Sequence, residues 1–313
     1  MTAEPDQAAE VRTAADRVKR ALRPVLALLA VAFVVWAFRD LVTRWDSHAV
    51  NIAWSLVALS LVPLVLGGMI LAAAWTYLVE RMAGTKVGLA PSMALHAESQ
   101  LARYIPGKVG IPVVRMTGAR GIGVPAKVAG SSVLIELMSF VSVGGVVGFA
   151  LLAALGRSAV SATLGRWAPV VVTVLGVVVL LLVVVDRSRC PERLRRAFGI
   201  EGRGPLVPRR LPALHAVYWL TWAGHGYLVT AAAGAGASGA GAVSGVFILA
   251  PIVGFLALAA PAGAGVREAV LSVGLVPVVG AAPALSVLLI SRGATLVADV
   301  VVWLLLRPWR ARP

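Results

Sequence analysis

Between Ala126 and Leu155, thirty consecutive residues carry only two ionisable side chains, Lys127 at the edge and Glu136 inside "SSVLIELMSF". A hydrocarbon core about 30 Å thick requires roughly 20 apolar residues per helix, so a run of this kind is built to cross a membrane. Further spans are predicted at 24–38, 53–79, 168–185, 211–233, 243–260 and 281–306. Two more stretches, 87–115 and 262–280, are apolar but interrupted. A chain that is 59% hydrophobic and only 14% charged, with a mean hydropathy of +0.88, is excluded from the ordinary soluble classes. The run from Pro24 follows a charged tail containing Glu4, Asp6, Glu10 and Asp16, with no small-residue cleavage site after it, which marks a retained span. If 266–280 crosses as a short helix, the fold is an all-α, polytopic membrane helix bundle of about eight crossings.

The charges orient that bundle. Of the lysines and arginines, 24 fall in the tail, the 80–127 stretch, the 186–210 loop, the stretch at Arg267 and the C-terminal end. Only Arg39, Arg44, Arg157 and Arg166 fall opposite, and Arg292 lies inside the last span. The positive-inside rule then places both termini, with the tail over 1–20, in the cytoplasm. The loop "DRSRCPERLRRAFGIEGRGPLVPRR" is cytoplasmic by the same count and divides one domain, 1–313, into two halves. The net charge of +15 is accounted for by such loops, so nucleic acid is not expected as a partner. Arginine exceeds lysine by 25 to 4, in keeping with a GC-rich bacterial genome and a bacterial plasma membrane. Cys190 is the single cysteine and the four histidines are scattered, so no disulfide, metal site or cofactor is expected.

Against this background "RYIPGKVGIPVVR", 103–115, stands out. Pro106 disfavours helix in the residue before it and removes a backbone donor. Gly107 and Gly110 allow an open turn, and Pro112 suits the start of a new helix. Lys108 and Arg115 lie within about a turn of that start, where unpaired N–H groups and the helix dipole favour an anion. The second half repeats the device in "APAGAGVREAV": Pro261, Gly263 and Gly265 break the helix, and Arg267 and Glu268 fall in the next first turn. Paired broken or re-entrant segments in two pseudo-repeated halves point to a substrate site between repeats, because irregular backbone at membrane depth survives where it lines a cavity or is buried in protein.

Ionisable residues near those breaks add to the signal. They are Glu98, Glu136, Glu268, Arg292 and Asp299. Each charge near the bilayer centre costs about 2.5–3.5 kcal/mol, so such groups pair or line polar space. Glu136 is expected to pair with Arg103 or Arg115. Arg292 and Asp299, seven apart on one helix face, should find partners on other helices. Gly144 and Gly148, and Gly241 and Gly245, are small-residue pairs suited to close helix contacts, and "GAGASGAGAVSG", 234–245, reads as an external turn leading into such a helix.

The stretches Ser99–Glu136 and Pro261–Arg292 resemble the two signature regions of the lysylphosphatidylglycerol synthase transmembrane family, a flippase-like domain. The resemblance implies polar roles for Arg103, Pro106, Gly107, Lys108, Arg115 and Glu136 in the first region. It implies the same for Pro261, Gly263, Gly265, Glu268 and Arg292 in the second. Two departures matter: Leu137 stands where relatives often carry a base, and Pro-Ala-Gly replaces the usual Pro-Gly-Gly. In two-part relatives this domain is thought to move an aminoacylated phospholipid while a soluble domain makes it. The chain ends at Pro313 with no room for that second domain, so the synthase activity is not expected to carry over.

Three classes of function remain. The first is a lipid flippase whose cargo is an aminoacyl phospholipid or a polyprenyl-phosphate-linked glycan. Arg103, Lys108, Arg115 and the helix start at Gly110 would hold its phosphate, Arg267 would reach it from the other break, and Glu136, Glu268 and Asp299 would balance those cations or bind a headgroup amine. The second is a non-transporting scaffold of an envelope glycosyltransferase or synthase. The third is an intramembrane lipid-phosphate transferase, weakened by the lack of a recognisable nucleophile, metal or phosphate-loop motif. The protein is thus expected not to be an enzyme, and its expected partners are membrane lipids.

Overall fold

The computed structural model describes residues 51–104, 109–155, 192–200, 207–256 and 265–310. The predicted spans at 24–38 and 168–185, the tail and most of the 186–210 loop lie outside the described residues. Everything described is helix, turn or coil. The long helices are α1 (Trp54–Ala83), α4 (Ala126–Leu155), α6 (Arg210–Ala232), α7 (Ala237–Leu256) and α9 (Ala281–Leu306). Shorter ones are α2 (Leu89–Leu101), α3 (Gly110–Gly118), α5 (Glu192–Phe198) and α8 (Val266–Val279). Among the described residues α1, α4, α7 and α9, the last with its 3-10 extension to Trp309, are long and apolar enough to cross a membrane. The chain is a polytopic helical membrane protein.

Helix packing here relies on small residues, because lipid provides no hydrophobic drive between helices and close backbone approach must supply the dispersion energy. A Cβ on Gly245 of α7 would sit 2.6 Å from the Gly148 carbonyl oxygen of α4. Gly144, one turn away, receives the indole of Trp219 and the tip of Ile252 instead. A Cβ on Gly241 would meet nothing within 4 Å, so of the predicted second pair Gly245 alone sits at a close helix contact. Helix α1 runs antiparallel to α6: the Ala53 N–H donates to the Ala232 carbonyl at 2.9 Å, and Gly67 faces Thr221.

The span predicted at 243–260 begins six residues earlier, at Ala237. Its first residues are Ala, Ser and Gly, too weakly apolar to register as a span, yet Ala240 and Ala242 are buried. The turn is therefore confined to about 233–236, where Gly234 takes φ +91°.

Two hairpins position the site. Gly110 lies against Ala102 and Gly118 against Leu95, so α3 runs back along α2. Gly239 faces Val278 and Gly274 faces Val246, so α8 runs back along α7. Helix α8, 14 residues or about 21 Å long, falls short of a hydrocarbon thickness of about 30 Å. Its first turn stops level with Ser291 and Arg292, about halfway along α9. From the other end of α9, Glu98 of α2 pairs with Arg310, and Arg103, just past α2, pairs with Asp299. The two broken elements thus approach α9 from opposite ends, and their tips stop about two turns apart.

Candidate functional site: a charged cavity between two helix tips

Between the tips lies a cavity of about 190 Å³. Arg103 and Tyr104 line it from the first tip, Arg115 from α3, Arg267 from the second tip and Arg292 from α9. Phe140 of α4 with Tyr218, Trp219 and Trp222 of α6 forms an aromatic wall, and Glu136 and Leu137 complete the α4 face. A second cavity of about 30 Å³ lies beyond Arg103, lined by His96, Gln100 and Asp299 among others.

Arg115 is fully buried. Its guanidinium pairs with Glu136, its Nε donates to Ser99 Oγ at 3.1 Å, and its Cζ lies 4.7 Å from the centre of the Trp75 ring. Trp75 is itself fixed, donating its indole N–H to Ser132 Oγ at 2.9 Å. Glu136 also faces His96 at 3.5 Å, and His96 contacts Gln100 at 3.2 Å. Of the two partners expected for Glu136, Arg115 is the one it has.

Arg103 pairs with Asp299, whose Oδ2 also accepts the Tyr104 hydroxyl at 2.6 Å. Arg292 pairs with Glu268 at 3.6 Å. The other oxygen of Glu268 accepts the Gly265 N–H at 2.8 Å, capping α8 where Gly265 takes φ +82°. A left-handed conformation of this kind is strained for any residue with a Cβ, which explains the glycine.

Arg267 differs from the other three. It is 5% exposed, and among the described residues no carboxylate lies within ion-pair distance. Its Nη2 donates to Ser291 Oγ at 3.0 Å, its Cζ lies 5.1 Å from the Trp222 ring centre, and its Nε has no hydrogen-bond partner. Ser291 is held in turn by His225 at 3.0 Å. The charge count in the sequence put Arg267 in a cytoplasmic stretch with the loop bases. The structure buries the residue inside the bundle, where α8 begins beside Ser291, about halfway along α9.

The structure therefore brings Arg103, Arg115, Glu136, Arg267 and Arg292 to one cavity, with Asp299 and Glu268 bracing two of the arginines. Gly110 opens α3, two residues ahead of Pro112, and is buried against Ala102. Pro106, Gly107, Lys108, Pro261 and Gly263 lie outside the described residues. Glu98 is spent on Arg310, away from the cavity. Sequence reading missed the aromatic wall. The signal was present in "YWLTWAGH", where Tyr218, Trp222 and His225 recur at i, i+4 and i+7 and so share one helix face.

Comparison with protein families matches residues 22–302 to the lysylphosphatidylglycerol synthase TM region. The chain belongs to this family. Both stretches that carry the resemblance, Ser99–Glu136 and Pro261–Arg292, lie inside the match, and among the described residues they supply the five charged side chains lining the cavity. Comparison with curated proteins gives no match.

Proposed function

We propose that this member of the lysylphosphatidylglycerol synthase TM region family is a flippase for a lipid with a phosphate-bearing headgroup, working in a bacterial plasma membrane without altering its cargo chemically. The observation that carries the reading is the meeting of Arg103 and Arg267 at one cavity, on the tips of two helices that approach α9 from opposite ends. A polar headgroup crossing hydrocarbon requires compensating charge along its route. Each tip supplies a guanidinium, and arginine matches phosphate geometry through paired N–H donors. The cavity volume is below the roughly 300 Å³ at which sites for drug-sized ligands begin, which suits a headgroup whose tails remain in lipid.

The ion pairs supply the moving parts of this reading. Arg103–Asp299 and Glu98–Arg310 hold the first tip to α9, and Arg292–Glu268 holds the second. Loosening one set while keeping the other would expose the cavity toward one leaflet at a time.

The test is movement of fluorescent phosphatidylglycerol between leaflets of vesicles carrying the purified full chain, with the lipid recovered afterwards for mass analysis. The wild type is expected to speed exchange well above protein-free vesicles and to return the lipid unchanged. Leu137→Trp, which fills the cavity without removing a charge, should slow exchange at least tenfold while leaving the gel-filtration profile intact. Exchange no faster than in protein-free vesicles would remove the proposal, and a chemically altered lipid would replace it with an enzymatic one.

A further inference from the structure

Arg115 and Arg267 are both buried, both stacked on a tryptophan and both bonded to a serine, yet they are held differently. Arg115 is clamped by the Glu136 carboxylate. Among the described residues Arg267 is held by uncharged groups: its Nη2 donates to Ser291 Oγ at 3.0 Å, and Trp222 backs its guanidinium at 5.1 Å. The serine is itself constrained. His225, fully buried, reaches Ser291 Oγ with Nε2 at 3.0 Å and the Ser60 carbonyl with Nδ1 at 3.3 Å. Edge contacts with Trp222 and Phe247, at interplanar angles of 77° and 81°, fix the plane of the imidazole.

Donor and acceptor rules give these contacts one direction. A carbonyl only accepts, so the proton of the neutral imidazole sits on Nδ1 and Nε2 carries the lone pair. The Ser291 hydroxyl must then donate to Nε2, which turns its own lone pairs toward an arginine that can only donate. Resting on the headgroup reading above, we infer that His225 and Ser291 are positioning residues, a relay from Ser60 of α1 through α6 and α9 that aims the Arg267 guanidinium at a lipid phosphate without neutralising it. The relay occupies Nη2 and leaves the Nε–H without a partner among the described residues, where a phosphate oxygen would supply one. Without His225, the Ser291 hydroxyl turns to a carbonyl of its own helix and becomes a poorer acceptor for Arg267. The contacts of such a network depend on one another, so removing either link removes the effect of both.

Isothermal titration of the detergent-purified full chain with dihexanoyl phosphatidylglycerol and with its lysyl ester, which share the phosphodiester, provides the test, and the tighter of the two serves for the variants. His225→Leu and Ser291→Ala should each weaken binding about tenfold, the worth of one hydrogen bond to a charged group. The double variant should also lose about tenfold, because both changes act through Arg267. His225→Gln, whose amide can accept from Ser291 and donate to the Ser60 carbonyl, should bind within about threefold of the wild type. Arg267→Gln should bind no better than Ser291→Ala. Losses that multiply to about a hundredfold in the double variant overturn the relay while the headgroup reading stands. Wild-type affinity in Ser291→Ala, His225→Leu or Arg267→Gln does the same, as does a loss in His225→Leu that tracks a fall in Tm and is not restored by His225→Gln. If His225→Leu does not fold, wild-type affinity in His225→Gln beside a tenfold loss in Ser291→Ala supports the relay, and equal affinity in these two overturns it. Failure of both lipids to bind the wild type overturns the relay and the headgroup reading together.

Discussion

Asp299→Ala is the most informative single perturbation of the first tip. The carboxylate accepts from the Arg103 guanidinium and from the Tyr104 hydroxyl at 2.6 Å, so its loss strands a cation and a phenol together. Removing one partner of a buried ion pair costs about 3–5 kcal/mol, and the Arg103 side chain is 27% exposed, which places the cost at the low end, about 3 kcal/mol. For a chain of this size, about 2 °C per kcal/mol turns that into a fall in Tm of roughly 6 °C. The assay is thermal unfolding followed by tryptophan fluorescence in detergent. The double variant Arg103→Met with Asp299→Leu should recover at least half of the loss, since neither charge is left alone. If the double variant is as unstable as the two single losses added, or if Asp299→Ala unfolds with the wild type, the tip is not held by this pair.

Other perturbations have defined outcomes. Glu136→Gln leaves the fully buried Arg115 without its counter-charge and should cost about 3–5 kcal/mol, read as a lower Tm. Gly245→Val drives a side chain into the Gly148 backbone and should destabilise by at least about 1–3 kcal/mol, whereas Gly241→Ala, facing open space, should be neutral or stabilising. Arg310→Ala removes a pair whose carboxylate side chain is 40% exposed and should shift stability by no more than about 1 kcal/mol. Gly265→Ala forces a Cβ into a left-handed conformation at the α8 cap and should lower Tm measurably, by about 1 kcal/mol or more.

Much of the architecture was legible because membrane helices are read from length and apolarity. The spans at 126–155 and 281–306 match α4 and α9 residue for residue. The starts of α3 at Gly110 and of α8 at Val266 were legible for a local reason, since proline and glycine punctuate helices wherever they stand. Partner choice was not. Nothing in the spacing tells Arg103 to take Asp299, almost two hundred residues away, or Glu136 to take Arg115. Those pairings follow from which helix ends stop at the same depth. The contacts of Arg267 were hidden for the same reason: its bond to Ser291 and its place beside Trp222 follow from α8 beginning halfway along α9. The start of α7 was hidden because small residues contribute to packing rather than to hydropathy.

A cryo-electron microscopy structure of the full chain in nanodiscs containing phosphatidylglycerol tests the central claim most directly. Phosphate density within about 3 Å of the Arg267 guanidinium, between the tips formed by Arg103 and Arg267 and with acyl tails leading out to lipid, is the result predicted here. Phosphates found only at the membrane surfaces, with the cavity collapsed or filled by an acyl chain, would contradict it.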